Sequence, residues 1–340
     1  FGLILMSSAR KCLSKALMKS LGLVWFLLLG SFTIQSQEYT ANIQHFDVED
    51  GLSHRDVYCT FQDSRGFIWI GTKYGLNRFD GKYFSIFSKE KHGLVSNEVH
   101  HILEDSEGWL WVFLGNNIIR KTGLFQVSFL NIYSGEVKTF KERFGDLALF
   151  EPNQIYSAIS DDRKTVFLGT VDGRIIRFQP ENGFKSIQIE NGQIITLDYI
   201  SKEGNIIGSN EISENEAILL ELDALGNLIW SFGNGINYTQ IGQDKAGRRW
   251  SFERKIENRV NDLHFYKTKS PHYLQPVDLS NISPPGGWQA GIGFGFYHRT
   301  QDDNLWYKDD KRFFVFHPEK GLLYDFNKDN LEISKNFIHE

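Results

Sequence analysis

The residues of this 340-residue chain that could do chemistry are regularly spaced carboxylates and tryptophans. Asp63 precedes Trp69 by six positions, and Asp105 precedes Trp111 by the same interval. Single aspartates in loops could bind calcium or act as general acids and bases, and indole rings could stack on sugars. One carboxylate per repeat, at a turn position, favours a structural role, in which the aspartate bonds the turn backbone and the tryptophan packs between sheets. We therefore predict no metal site and no cofactor.

The adjacent histidines His100 and His101 look like metal ligands, but successive residues of a strand point to opposite faces and cannot reach one ion. No third ligand stands at a suitable spacing. The sequence also has no Gly-x-Ser-x-Gly elbow, no phosphate-binding glycine loop and no His-Glu-x-x-His. Paired carboxylates at 302–303 and 309–310 are typical of solvated loops. We predict that this segment is not an enzyme.

Comparison of the chain with itself reveals repeats, and these repeats predict the elements that position the carboxylates and tryptophans. The first frame consists of Val57, Asp63, Gly66 and Trp69, which are an apolar residue, a polar turn residue, a glycine and a large apolar residue. The polar side chain bonds the backbone of a tight turn, and the glycine takes the positive φ that such turns require. Six frames are centred on residues 63, 105, 161, 201, 244 and 300. The predicted structural residues of the repeat are Asp63, Gly66, Trp69, Asp105, Gly108, Trp111, Asp161, Phe167, Asp244, Gly247, Trp250 and Trp306.

Each frame predicts one β-hairpin, and Asp80-Gly81 predicts the turn between two further strands of the first repeat. The frames are 40 to 56 residues apart, and four-stranded units of this length are typical of propeller blades. We therefore predict an all-β fold, a β-propeller of four-stranded blades over residues 38–340. We expect about six blades of a total of seven, in a ring left incomplete by truncation of the chain, and residues 331–340 resemble the start of a further blade.

The first 37 residues have the layout of a signal peptide. Four basic residues between positions 10 and 19 precede an apolar run at 21–29 that is too short to cross a ~30 Å hydrocarbon core. We expect translation to start at Met18, cleavage after Ser36 or Gln37, and a periplasmic location. The remaining residues carry 33 basic and 42 acidic side chains, since 37 minus 4 is 33, and this excess of acid argues against nucleic acid as a partner.

The first repeat contains Gly51-Leu52-Ser53, Ile68-Trp69-Ile70-Gly71-Thr72 and Gly75-Leu76-Asn77-Arg78-Phe79, and the second contains Leu94, Ser96-Asn97 and Val99. With these residues the first two repeats resemble the two-component regulator propeller family, and the later repeats keep only the frame. Members of that family place propellers in the periplasm, ahead of a membrane helix and a histidine kinase or helix-turn-helix output domain. The resemblance implies an extracytoplasmic sensor propeller that binds an oligosaccharide or another periplasmic solute. It also implies that the full-length protein is a homodimer anchored in the inner membrane by a downstream helix, and a sensor histidine kinase in many such proteins.

Ligand contacts in a propeller come from the loops that lead into the innermost strands, because these loops surround the central channel. The residues that meet this criterion could equally be ordinary loop residues. Two other functions stay open, namely an exported propeller enzyme such as a polysaccharide lyase or glycosidase, and a scaffold that only binds proteins. The predicted ligand-binding residues are His54, Arg55, Asn97, Glu98, Asn153, Gln154 and, in a second loop, Trp288.

Overall fold

The computed structural model describes residues 44–115, 124–146, 150, 154–161, 165–189, 195–213, 216–232, 237–243, 249–255, 260–266, 295–299, 304–308, 312–317 and 320–327. The signal-peptide region, the start of a further blade at 331–340, and the predicted residues Asn153, Asp244, Gly247 and Trp288 lie outside these ranges. Within them the chain forms six antiparallel sheets. The strands of each sheet are hydrogen-bonded in the order of the sequence.

The first three sheets contain four strands each. Sheet 1 comprises β1 (Val57–Gln62), β2 (Ile68–Thr72), β3 (Gly75–Phe79) and β4 (Phe84–Phe87). Sheet 2 comprises β5 (Val99–Glu104), β6 (Trp109–Leu114), β7 (Gln126–Asn131) and β8 (Val137–Thr139). Sheet 3 comprises β9 (Ile155–Asp161), β10 (Thr165–Thr170), β11 (Arg174–Gln179) and β12 (Gly183–Gln188).

The remaining sheets follow the same order, with three strands of sheet 5 lying in the described ranges. Sheet 4 comprises β13 (Thr196–Ile200), β14 (Ile206–Ser213), β15 (Glu216–Leu222) and β16 (Leu228–Phe232). Sheet 5 comprises β17 (Asn237–Gln243), β18 (Arg249–Lys255) and β19 (Val260–Tyr266), and sheet 6 comprises β20 (Gly295–Arg299), β21 (Leu305–Lys308), β22 (Arg312–His317) and β23 (Gly321–Asn327). Trp250 lies in β18 and Trp306 in β21. The prediction of an all-β chain built from successive four-stranded units is confirmed.

Two short helices that the sequence analysis did not predict connect strands. Helix α1 (Lys89–His92) follows β4, and the Ser88 side chain accepts a hydrogen bond from Lys91 N. Helix α2 (Phe140–Phe144) follows β8 and begins with a capping box between Thr139 and Glu142. Each helix is about one turn long and is stabilised by local capping. A helix this short has no 3.6-residue periodicity in the sequence from which it could be predicted. Among the helices of the described residues, none is long and apolar enough to cross a lipid bilayer.

The core lies between successive sheets. Strand β6 is apolar throughout because both of its faces are covered. Trp111 and Phe113 pack with residues of sheet 3, whereas Leu110, Val112 and Leu114 pack with residues of sheet 1. A third apolar cluster, which includes Phe167 and Leu220, joins sheets 3 and 4. Burial of aromatic and branched side chains therefore fixes each of the first four sheets against its neighbour.

Glycine allows the closest approach between sheets 1 and 2. A Cβ atom on Gly71 of β2 would stand 2.7 Å from Val99 Cγ1 and 2.8 Å from Val99 O in the adjacent sheet. Neighbouring sheets are also joined by hydrogen bonds from the first strand of one sheet to the next sheet. Ser157 Oγ donates to Ile195 O over 3.3 Å, and His101 Nε2 lies 3.1 Å from Ala158 O.

The first strand of every sheet contains a β-bulge, where one residue is left out of the pairing with the second strand. In sheet 1, Val57 pairs with Thr72 and Cys59 with Gly71, so Tyr58 is the extra residue. The same shift recurs in the other five sheets. The extra residues of sheets 1 to 6 are Tyr58, His100, Tyr156, Asp198, Ile241 and Tyr297.

Candidate functional site

The repeated aspartates bond their own turns. Asp63 is 3% exposed, and its Oδ1 accepts hydrogen bonds from Arg65 N and Phe67 N, each 2.9 Å long. Its Oδ2 accepts one of 2.8 Å from the indole nitrogen of the fully buried Trp69. Gly66 closes the turn with φ of 90°. Both carboxylate oxygens of Asp63 therefore accept hydrogen bonds from groups of its own repeat, which is the structural role that the sequence predicted.

Asp105 makes the equivalent bonds in sheet 2 and also binds an arginine. Trp111 Nε1 donates to Asp105 Oδ2 over 2.9 Å, and Arg143 Nη2 donates to the same oxygen over 2.7 Å. The guanidinium group of Arg143 is also within 5 Å of the ring centres of Trp109 and Phe129, so it is held by cation–π contacts. This buried pair attaches helix α2 to the turn of sheet 2.

The third frame keeps the aspartate and loses the indole. Asp161 Oδ1 accepts a hydrogen bond of 2.6 Å from Thr165 N, which spans the turn between β9 and β10. Phe167 replaces the tryptophan and is buried, but its side chain has no N–H to donate. The frame residues of sheets 1 to 3 therefore build turns and cores.

A cluster of polar and aromatic side chains gathers where the first strands of sheets 1 and 2 begin. We call Asp56, Tyr58, Glu98 and His100 the inner-strand cluster. The rings of Tyr58 and His100 are stacked, with centres 4.6 Å apart and planes inclined by 6°. His100 Nε2 lies 2.9 Å from Gly115 O and 3.3 Å from Glu98 Oε1. Both neighbours are acceptors, so Nε2 carries the proton.

The cluster is acidic and only partly covered. The side chain of Glu98 is 18% exposed and that of Asp56 is 44% exposed. Burial raises the pKa of Tyr58, and the negative charges of Glu98 and Asp56 raise it further. The tyrosine hydroxyl therefore stays protonated and hydrogen-bonds to Glu98. An arrangement of this kind offers hydrogen-bond acceptors beside a stacked pair of rings.

The structure brings some of the predicted ligand-binding residues to this cluster. Glu98 belongs to it. His54 lies beside it, because its Nδ1 accepts a hydrogen bond of 3.0 Å from Asp56 N and its ring contacts that of Tyr74. Arg55 is 71% exposed, with Nε 4.0 Å from Asp56 Oδ1.

Other predicted residues are placed elsewhere. The side chain of Asn97 accepts a hydrogen bond of 2.8 Å from Lys89 N at the start of helix α1 and donates to Glu90. Gln154 occupies the position of Glu98 in sheet 3, and its carbonyl accepts from Val171 N as that of Glu98 accepts from Gly115 N. These two assignments as ligand contacts stay predictions.

Sequence reasoning missed Tyr58 and His100 as a pair. His100 was considered only as a metal ligand beside His101, whereas the structure gives the two histidines different partners in different sheets. Within the described ranges, no three histidine, cysteine or acidic side chains come together as a metal site requires. The available signal was the recurrence of Tyr58, His100 and Tyr156 five residues before successive turn aspartates.

A second unusual group lies in the first strand of sheet 4. Asp198 is the bulged residue of β13, and its Oδ2 is buried with no hydrogen-bond partner in the part of the chain that the structure describes. Burial raises its pKa to about 7, and a hydrogen bond to the Ser209 side chain only partly opposes this shift.

Comparisons with known proteins show which proteins the repeats and the fold resemble. Residues 51–74 and 93–115 match the family model described as two component regulator propeller. Among curated proteins, Histidine kinase P4 of Formosa agariphila is 35% identical over 72 residues, which are 21% of this chain and 5% of that protein. The chain therefore spans a small part of the length of the curated relative it matches.

Similar solved structures share little sequence with this chain. The Dos1 propeller is 13% identical, covers 81% of this chain and 71% of its own, and gives a TM-score of 0.50. Virginiamycin B lyase from Staphylococcus aureus is 10% identical, covers 80% and 84%, and scores 0.48. The extracellular domain of the hybrid two component system BT3049 from B. thetaiotaomicron is 16% identical, covers 84% and 49%, and scores 0.35. The chain is a β-propeller that carries repeats of the two-component regulator propeller family.

Proposed function

We propose that this propeller is the extracytoplasmic sensor domain of a two-component signal transduction protein, and that it binds a saccharide or a related solute. The observation that carries the proposal is the match of two successive repeats to the two-component regulator propeller family. The similarity to a histidine kinase over 72 residues supports the same class of protein. The basic and apolar layout of the first 37 residues supports export to the periplasm.

The geometry favours binding over catalysis. The frame carboxylates of Asp63 and Asp105 are buried and accept hydrogen bonds from turn backbone and indole groups, which removes them from acid–base chemistry. The inner-strand cluster instead offers stacked rings and carboxylate acceptors with partial solvent access. Sites that bind small molecules combine apolar rings with a few convergent polar groups in this way.

The whole protein that contains this chain provides the test. Its coding sequence beyond residue 340 should encode a membrane helix followed by a histidine kinase core or a helix-turn-helix domain. Purified in membranes, the protein should change its rate of autophosphorylation, or its output, when oligosaccharides are added on the extracytoplasmic side. A coding sequence that ends without a membrane helix or an output domain contradicts the proposal. Release of sugar products by the propeller would favour an exported enzyme.

A further inference from the structure

Two arginines of sheet 1 share one aromatic ring at the end of the sheet where β1 turns into β2. Arg65 lies in that turn, and Arg78 lies in β3. The guanidinium carbon of each arginine is 5.0 Å from the centre of the Phe67 ring. That of Arg65 is also 5.7 Å from the ring centre of Tyr133, which lies in the turn between β7 and β8 of sheet 2. We call Arg65 and Arg78 the arginine pair.

The arginine pair has few hydrogen-bond partners. Arg65 Nη1 donates to Ile132 O over 2.7 Å, and its other guanidinium nitrogens donate to none of the described residues. Arg78 donates no hydrogen bond within the described ranges, and its Nε is buried without an acceptor. No ion pair among these residues includes either side chain. Cation–π contacts therefore hold both guanidinium groups, while most of their N–H donors are left without an acceptor.

The carboxylates nearest in the fold are engaged by their own surroundings. Glu104 is 2% exposed and accepts hydrogen bonds from the turn between β1 and β2. Asp80 is exposed, and its Oδ1 accepts from Tyr83 N and Lys82 N. These two bonds are the main reason that the pKa of Asp80 is lowered, and the charge of Arg78 makes a smaller contribution. Neither carboxylate forms an ion pair with the arginine pair.

Sheet 2 supplies at the same place a carboxylate that sheet 1 lacks. Trp109 stands four residues after its frame aspartate, as Phe67 does, and the guanidinium group of Arg143 lies 4.8 Å from its ring centre. This guanidinium group binds the frame aspartate and also Glu107, at 3.4 Å. Glu107 stands two residues after the frame aspartate, which in sheet 1 is the position of Arg65. The stacked arginine therefore has a glutamate beside it in sheet 2 and a second arginine in sheet 1.

The place of the arginine pair indicates the kind of anion that would complete it. Two like charges beside one ring repel each other, and a carboxylate that accepts from both removes this repulsion. The pair lies at hairpin turns, where Arg65, Tyr83 and Tyr133 are exposed. Sites for small molecules are concave, whereas exposed arginine and tyrosine side chains are typical of contacts between proteins. An acidic side chain of another polypeptide therefore fits this place better than a small carboxylate does.

We propose that the arginine pair is a docking site for an acidic segment of a partner polypeptide, one of whose carboxylates takes the place that Glu107 has in sheet 2. The guanidinium groups donate to this carboxylate, and neighbouring residues of the segment contact the exposed ring of Tyr133. The inference goes beyond the sensor function and does not depend on its ligand. The inner-strand cluster begins at the opposite end of β1.

The test uses the full chain and two labelled, capped oligopeptides of equal length, one of glutamate and one of glutamine. Fluorescence anisotropy should show that the glutamate peptide binds at low salt and is released as salt is added, and that the glutamine peptide does not bind. The chain has more acidic than basic residues, so its net charge alone opposes this binding.

Single substitutions locate the binding. Arg65→Gln and Arg78→Gln should each weaken it about tenfold, the size expected for loss of one charge-assisted contact. Lys73→Gln is the matched control, because it removes one positive charge from an exposed turn at the other end of sheet 1 and should leave the affinity unchanged. Arg78→Lys keeps the charge without the planar fork and should retain only part of the affinity. If Arg78→Gln does not fold, the variants of the exposed Arg65 decide.

Arg65→Glu separates docking from a structural role. It gives sheet 1 the carboxylate that Glu107 provides in sheet 2, so Arg78 gains an internal partner and the glutamate peptide should no longer bind, while circular dichroism shows an unchanged fold. Unchanged affinity in this variant, absence of binding to the unmodified chain, or equal binding of both peptides overturns the proposal. So does an equal loss of affinity in Lys73→Gln. None of these results bears on the sensor function, which the membrane helix and output domain decide.

Discussion

Sheets 1 and 4 form the same turn with different chemistry. In sheet 1, Asp63 N donates to Phe67 O and Gly66 N to Asp63 O, each over 3.0 Å. In sheet 4, Ser201 and Gly204 take the places of Asp63 and Gly66, and the two bonds are 2.9 Å long. A serine hydroxyl thus supports the backbone turn as an aspartate does. The tight turn does not depend on the carboxylate.

What the carboxylate adds is a link to the core. Trp69 and Trp111 are fully buried and donate their indole N–H to Asp63 and Asp105. Ile207 stands in the same frame position of sheet 4 and is also fully buried, but it needs no hydrogen-bond partner. Packing is therefore common to sheets 1, 2 and 4, whereas among these three the aspartate–tryptophan link is present in sheets 1 and 2. Where the link is present, its removal leaves a buried donor unpaired.

The largest expected effect comes from Asp105→Ala. It removes the acceptor of Trp111 and the closer carboxylate partner of the buried Arg143, whose second partner, Glu107, is 56% exposed. The variant should lower the free energy of unfolding by about 3–5 kcal/mol. Asp161→Ala removes the side-chain acceptor of the Thr165 N–H in sheet 3 and should cost only about 1 kcal/mol. Urea denaturation of the two variants and the unmodified chain measures both values.

Asp105→Asn keeps this comparison informative if Asp105→Ala does not fold. Its one side-chain oxygen can accept either from the turn N–H groups of Glu107 and Trp109 or from the indole of Trp111, and the charge that balances Arg143 is lost. The stability of this variant should therefore fall between those of the Asp105→Ala variant and the unmodified chain, and closer to the former. Equal losses for the Asp105 and Asp161 variants would show that the link to the indole and guanidinium groups contributes nothing.

A smaller effect follows from the different side chains that link successive sheets. His101 of sheet 2 is half-buried, its Nε2 lies 3.1 Å from Ala158 O of sheet 3, and loss of solvation lowers its pKa to about 4. The folded state thus holds the neutral imidazole, while the unfolded chain takes up a proton near pH 6.5. The stabilisation is complete above about pH 6.5 and is lost as the pH falls toward 4, by about 3 kcal/mol.

Urea midpoints at pH 7.5 and pH 4.5 measure this loss, and His101→Gln isolates it. Glutamine cannot take up a proton, so the variant should lose less stability on acidification than the unmodified chain does, although it starts from a lower value at pH 7.5. The corresponding link from sheet 3 to sheet 4 is made by Ser157, which does not titrate in this range. Identical pH profiles for the variant and the parent would assign the acid sensitivity to other groups.

The sequence predicted the repeated hairpins more completely than it predicted the residues of the inner-strand cluster, and the reasons are physical. Turn residues and buried aromatic residues leave a local signature, so the frames centred on 63 and 105 predicted the hairpins of sheets 1 and 2. A bulge is a difference in the number of residues between two paired strands. The sequence of either strand by itself therefore does not reveal it. Tyr58 and His100 were missed for that reason. Asn97 was assigned to ligand binding from its loop position, because the one-turn helix that its side chain caps has no periodicity to reveal it.

A further expected effect concerns the spacing between sheets. Gly71→Ala would place a methyl group 2.8 Å from Val99 O, an atom of the sheet 2 backbone that cannot move alone, and should cost about 1–3 kcal/mol. Gly169 has the equivalent place in sheet 3, where the nearest backbone atom of the next sheet, Ile195 O, is 3.1 Å away. Its alanine variant should lose less stability in thermal unfolding.

A second substitution identifies the atoms responsible for the loss at Gly71. The new methyl group would also stand 2.5 Å from Cys59 Sγ, a side chain of the same sheet. If that contact dominates, adding Cys59→Ala to Gly71→Ala should restore most of the lost stability. Persistence of the loss in the double variant places the limit at the backbone of β5.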